Sequence, residues 1–319
     1  MGTVVSITAD HLATPGGGVG FAPLWVRLRG AFAHKVWPVL AVVLAIVAFW
    51  YVAAWWMNSA QAIDRAARGD TVLSATQLFG DTMSQKRPVL PAPHQIVAEI
   101  WSTTVDKKIT SKRSLVFHGW VTLSSTLAGF VLGTLLGVLL AVGIVYSRTL
   151  DASLMPWIIT SQTIPILAIA PMVIVGLYNL GIEGLLPKAI ISMYLSFFPV
   201  AVGMVKGLRA PDRMSLDLMR TYSASRWQTF RKLRLPASVP YLFASMKVGI
   251  AISLVGAIVA ELPTVSNGLG ARLLAGSYYG QTIQIWAALI FAATMAAVLV
   301  VALGGLERVV LRRMGVKAA

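Results

Sequence analysis

A few charged and polar residues stand inside long apolar runs, and one basic segment joins two such runs. These are the positions whose types and spacing invite a chemical role. Lys247 lies about two turns into an apolar run. A lysine there either snorkels to the nearer membrane face or turns its charge toward a cavity or subunit interface. Glu261 closes the same run and reads as an interface or gate contact rather than a substrate ligand. Gln162, Thr163 and Ser253 are the polar candidates for lining a pathway, set against simple bonding of their side chains to the helix backbone. Pro165, with Pro171, frees backbone carbonyls that could line a cavity, or else makes a passive kink. Metal and nucleophile chemistry have little to work with. There is no cysteine, and His11, His34, His94 and His118 form no i, i+4 pair. A phosphate-binding Gly-x-x-x-x-Gly-Lys-Ser/Thr loop is also missing, so any ATP-derived energy must come from elsewhere. An enzyme is therefore a distant reading.

The elements that position these residues are set by hydropathy. The chain is 57% hydrophobic and 12% charged, with a mean hydropathy of +0.74. Soluble domains are about 45–50% apolar and about 25% charged, so the surplus must be solvated by lipid. Runs long enough to cross a bilayer in helix fall at 36–57, 122–146, 154–177, 185–205, 241–260 and 283–306. The fold class expected is an all-α polytopic membrane protein of about six spans. Residues 1–30 read as a flexible tail around Gly16-Gly17-Gly18, 31–57 as the first transmembrane helix and 58–115 as an outer loop. The core occupies 116–312, and 313–319 is a second tail. The polar lead is too long for a secretory signal peptide. Within the outer loop, Ile96, Val97, Ile100 and Trp101 have the spacing of a short amphipathic helix at the surface.

A net charge of +15 could serve nucleic acid, but its distribution fits a membrane protein. Between 206 and 240 there are eight basic residues against Asp212 and Asp217. By the positive-inside rule that segment is cytoplasmic, and six spans then place both termini inside. No nucleic-acid partner is expected. Span two carries Gly129, Gly133 and Gly137, a small-xxx-small ridge for close helix packing.

The segment 212–236 carries the most specific pattern. Met214, Leu218 and Tyr222 recur at i, i+4, i+8 and make one apolar stripe. Ser225 followed by Gln228 has capping-box spacing, so a second helix should start near Arg226. On it Trp227, Phe230 and Leu233 share a face, and Pro236 should stop it. Periodicity alone allows two readings: a hairpin seated in a partner's groove, or a basic helix resting on the membrane surface.

The stretch resembles the EAA loop of binding-protein-dependent ABC importer permeases: Glu-Ala-Ala, three residues, Gly, nine residues, Ile-x-Leu-Pro. Asp217 falls on the Glu, Leu218 and Met219 on the alanines, and Ser223 on the Gly. Leu233 falls on the Ile, and Leu235-Pro236 matches the closing pair. The spacing is intact, while the first half departs in residue type. The resemblance spans 115–312. Ile164-Pro165 through Pro171, Glu261 with Asn267-Gly-Leu-Gly270, and the basic run 308–313 are similar to the nitrate, sulfonate and taurine group.

This resemblance implies the type I importer permease fold in a bacterial inner membrane. It implies a second permease subunit, identical or homologous, a cytoplasmic ATPase dimer that binds ATP and Mg, and a periplasmic substrate-binding protein. No cofactor is implied in this chain. The implied coupling residues are Asp217, Leu218, Met219, Tyr222, Ser223, Arg226, Trp227, Phe230, Leu233, Leu235 and Pro236. Implied substrates are nitrate, taurine or another organosulfonate, or a heterocycle such as a pyrimidine vitamin precursor. The competing class is an ATP-independent carrier or channel, which should show paired broken spans in its two halves.

Overall fold

The computed structural model describes residues 37–68, 74–263 and 267–315. The expected N-terminal tail, residues 1–30, and the last residues, 316–319, lie outside the described part. Two units are distinguished, Met1–Val52 and Ala53–Ala319. Among the described residues every regular element is a helix. Helix α1, Trp37–Arg68, begins in the first unit and is 32 residues long, and its apolar 18-residue stretch has a mean hydropathy of 2.3. It runs 11 residues past the expected end of the first span, into what the sequence suggested was outer loop.

The core of the second unit is built by three long helices: α4 (Leu115–Tyr146), α7 (Leu185–Arg209) and α10 (Leu235–Glu261). Their contact surfaces are small-residue seams. An added Cβ at Gly133 would stand 2.1 Å from Ser196 Oγ, and one at Gly129 would stand 2.3 Å from Ser192 Cβ. The Gly129-Gly133-Gly137 ridge is thus the packing surface that brings α4 against α7, as helices in lipid require when apolar burial gives them little drive. On the other side of α7, Gly203 meets Ser245 and Gly207 meets Ser238 of α10 in the same manner. Ser192 Oγ and Ser253 Oγ lie 2.6 Å apart, and Ser253 Oγ donates to Thr126 O at 2.9 Å. The three helices are therefore stitched by hydroxyls as well as by close approach.

The third expected span is not one helix. Helices α5 (Arg148–Ser161) and α6 (Ile166–Asn179) meet at 98° across a four-residue break. Proline explains the break: Pro165 has no N–H to offer the α5 carbonyls, and its ring disfavours helical geometry at the residue before it. Hydropathy could not reveal this, because both halves are apolar. Among the described residues, helix α12 (Thr282–Arg313) completes a set of five membrane-length helices, or six with the bent pair as one span.

The region 74–114 is a folded module rather than a loose loop. It contains α2 (Ala75–Met83) and α3 (Pro93–Thr104). The Asn58 side chain, at the far half of α1, accepts from Val89 N and Leu90 N and donates to Leu90 O, at 2.7–3.1 Å. Thr282 Oγ1 donates to Pro88 O at 2.6 Å. Helix α3 buries Ile96 and leaves Val97 and Trp101 exposed, so it does have the amphipathic character expected of it. Its buried face, however, meets the helical bundle.

The segment between α7 and α10

Past α7 the chain forms α8 (Arg213–Thr221), a tight turn, and α9 (Arg226–Thr229). Asp212 caps α8, its carboxylate accepting from Ser215 N at 3.2 Å. Those bonds from Ser215 hold the Asp212 carboxyl below the ordinary carboxylate value. The C-terminus of α8 closes with two bonds. Ala224 N donates to Met219 O at 2.9 Å and Ser223 N to Arg220 O at 2.8 Å, the Schellman pattern. That pattern needs a left-handed residue just past the helix, and Ser223 supplies it at φ +50. The departure from Gly at this position thus keeps the turn at the cost of strain in a non-glycine residue.

The capping box expected at Ser225 forms as the spacing dictates. Gln228 N donates to Ser225 Oγ at 3.2 Å, and Ser225 N donates to Gln228 Oε1 at 2.8 Å. The expected stop at Pro236 does not occur. A single π turn, Phe230–Arg234, joins α9 to α10, giving one helix from Arg226 to Glu261. Pro236 falls in the first turn of α10, where its missing N–H breaks no helical bond of that register, and its fixed φ suits the helix. The π turn supplies the shift of register.

Two aromatic residues of this segment play different parts. Phe230 is half-buried against the cluster of Ile144, Met204 and Leu208, and meets Tyr146 edge-on at 5.8 Å. Trp227 stacks on Phe230 at 5.5 Å and remains 65% exposed. Met214, Leu218 and Tyr222 are 81%, 56% and 76% exposed on one face of the hairpin. Leu233 is half-buried and Leu235 is exposed near the root. Asp217 and Arg220 pair at 3.0 Å in the open, and Met219 is half-buried. The hairpin therefore stands on Phe230 and presents an exposed apolar row.

The charges inside the membrane helices are placed differently from one another. Lys247 forms an ion pair with Glu307 of α12, the side chains being 34% and 17% exposed. Sequence reading offered a snorkel or a cavity-facing charge. The pairing partner, 60 residues away, was invisible to it.

Glu261 is fully buried. It accepts from Thr122 Oγ1 and from Gly270 N, each at 2.9 Å. Around it, Leu269 N donates to Thr122 Oγ1 at 2.9 Å and Gly268 N to His118 Nδ1 at 3.0 Å. Lys188 Nζ donates to Asn267 O at 3.1 Å. This network clamps α11 (Leu269–Tyr278) onto α4. Gly268 sits at φ +125, and a Cβ there would stand 2.1 Å from the Glu261 carboxyl carbon. Glycine is thus dictated by both conformation and space. On α11, burial holds the Arg272 guanidinium below its usual value while Glu99 opposes the shift.

Gln162, Thr163 and Pro165 all lie at the α5–α6 break, Gln162 half-buried and the other two exposed. Thr163 Oγ1 donates to Thr160 O at 2.8 Å. Ser253 is elsewhere: it is fully buried between α4, α7 and α10 and bridges helices rather than facing open space.

Among the described residues, membrane-length helices are close-packed through glycine seams and an exposed amphipathic hairpin stands between two of them. Comparison with known families gives the class of protein. Residues 133–316 match the family described as binding-protein-dependent transport system inner membrane component. The riboflavin transport system permease protein of Chloroflexus aurantiacus is 30% identical over 224 residues, 70% of this chain and 80% of that protein. The formylaminopyrimidine transport permease protein of Halalkalibacterium halodurans is 29% identical over 184 residues, 57% of this chain and 68% of that one. The nitrate import permease protein of Leptolyngbya laminosa is 25% identical over 182 residues, covering 56% and 63%. The chain belongs to this family and is a multi-pass inner-membrane permease of an ABC importer.

Proposed function

We propose that residues 212–236 are the coupling segment by which a cytoplasmic ATPase dimer drives this permease. In this reading two permease subunits form the pathway and a periplasmic binding protein delivers a small solute. The observation that carries it is the uncovered row Met214, Leu218 and Tyr222, with Trp227 beside it. An exposed apolar row at helical spacing on a rigid hairpin is what a helix-in-groove contact requires. Arg226 and Arg231 would form its charged rim, and Asp217 with Arg220 the opposite edge. The basic segment then faces the cytoplasm and both termini lie inside. ATP and Mg would be held by the partner.

The relatives' names point to a compact solute, either an oxyanion such as nitrate or a heterocycle such as riboflavin or formylaminopyrimidine. The α5–α6 break, with Gln162, Thr163 and Pro165, is the best-placed element to line its route. Irregular backbone at membrane depth is tolerated where it borders a cavity. Lys247 and Glu261 then act on the helices rather than on the solute. An ATP-independent carrier should pair its broken spans between two halves. Among the described residues there is one such bent pair.

The test is co-purification of the cognate ATPase with tagged full-length chain. Leu218→Arg and Trp227→Asp should each abolish recovery of the ATPase while membrane insertion stays normal. Transport that persists after loss of the ATPase would refute the assignment.

A further inference from the structure

Beneath the hairpin lies a cleft of 590 Å³ whose wall carries Arg148, Arg209, Arg220, Arg226 and Arg234 against a single carboxylate, Asp151. That carboxylate is already committed to Arg209 at 2.8 Å. Arg220 pairs with Asp217, and Arg234 donates to Leu208 O at 3.3 Å. Among the described residues, Arg148 and Arg226 have no carboxylate partner. Two guanidinium groups thus face one cleft without a counter-charge, an arrangement that asks for an anion.

A second feature says which anion. An open groove of 520 Å³ shares Arg148 and Asp151 with the cleft and continues along α5 past Met155, Pro156 and Ile159. Helix α5 follows directly on the end of the α4 span, so the groove leads from the membrane boundary into the hydrocarbon. A free oxyanion has no use for such an apolar extension. An anionic phospholipid fits both parts, its phosphate between Arg148 and Arg226 and an acyl chain along the groove. Basic pockets between membrane helices bind acidic headgroups in this way.

We propose that this cleft is a binding site for an anionic phospholipid, seated between α5 and the root of the hairpin. The bound headgroup would neutralise the arginines and tie the hairpin to the membrane surface. This proposal does not depend on the ATPase assignment.

The experiment is native mass spectrometry of the delipidated full chain in mild detergent. It is titrated with dioleoyl-phosphatidylglycerol, or with dioleoyl-phosphatidylcholine as control. Each arginine near a lipid surface contributes about fivefold in affinity. Arg148→Gln/Arg226→Gln should therefore weaken phosphatidylglycerol retention about 25-fold and leave phosphatidylcholine unchanged. Ile159→Trp, which fills the groove and keeps every charge, should also weaken phosphatidylglycerol. If the double variant folds poorly, as judged by thermal unfolding, Arg148→Gln alone and Ile159→Trp carry the test. The proposal is overturned if phosphatidylglycerol is retained equally by these variants. It is also overturned if millimolar inorganic phosphate displaces the lipid, since the site would then take a free oxyanion. Leu218→Arg separates the two assignments, because it should lose the ATPase and keep the lipid.

Discussion

Replacing Lys247 by Met leaves the Glu307 carboxylate, 17% exposed, facing the α10–α12 seam without its ion-pair partner. The cost can be bracketed. An exposed ion pair contributes about 0–1 kcal/mol, and breaking a fully buried one costs about 3–5 kcal/mol because a charge is stranded. With the lysine side chain 34% exposed, this pair falls between, and we expect Lys247→Met to cost about 2 kcal/mol. In a chain of this size that corresponds to a melting shift of about 3 °C. Glu307→Gln should cost less, since the remaining lysine can extend its stem to the membrane face.

The decisive variants are doubles. Lys247→Met/Glu307→Gln strands no charge, so its loss should be smaller than the sum of the singles by at least about 1 kcal/mol. Lys247→Glu/Glu307→Lys should regain more than half of the single-variant loss. Thermal unfolding of the purified chain in one detergent, at one scan rate, provides the comparison. Strict additivity of the two single variants would show that the pair contributes nothing and that the bracketing is wrong.

Two further outcomes follow from the packing and the turn. Gly133→Ala forces a methyl group to within 2.1 Å of Ser196 Oγ and should destabilise by about 1–3 kcal/mol; Gly133→Ala/Ser196→Gly should recover most of the melting temperature, and failure to do so would show that α4 and α7 do not meet along this ridge. Ser223→Gly relieves a left-handed serine at φ +50 worth about 1 kcal/mol, so amide exchange of Ala224 should slow by about fivefold, and unchanged or faster exchange would deny the strain.

What could be read from sequence follows a physical division between local and distant causes. The Ser225–Gln228 box and the Met214, Leu218, Tyr222 stripe depend on spacings of three and four residues, and both formed as expected. The glycine ridge is equally local, and its packing role needed only the rule that helices in lipid approach through small residues. The α5–α6 break escaped because a proline in an apolar run reads alike as a kink or a full rupture. Only the neighbouring helices decide between these. Pro236 misled for a related reason: the rule that proline ends a helix assumes one hydrogen-bond register, and a π turn changes it. Glu261 could be singled out by its charge, but its partner Thr122 lies 139 residues away on α4. Asn58 gave no signal at all, since an asparagine near the end of a span resembles any other polar boundary residue.

The continuous helix from Arg226 to Glu261 joins these pieces mechanically. At 36 residues and about 1.5 Å per residue it is about 54 Å long, enough to reach from the hairpin to the Glu261 clamp at the opposite end. Its hydrogen-bond register shifts at the π turn at Phe230–Arg234, set against the packed cluster around Met204, and Pro240 interrupts the ladder further along. Displacement of the hairpin therefore has two ways to be absorbed: local unwinding at the π turn, or rotation of the whole rod. The Lys247–Glu307 pair lies beyond the π turn and fixes the rod to α12. If the rod turns, that pair and the Glu261 contacts must both yield. If the π turn yields instead, neither changes. Continuity in space is not itself coupling. The charge-swap variant, which rebuilds the attraction with its direction reversed, distinguishes the two by whether transport recovers together with stability.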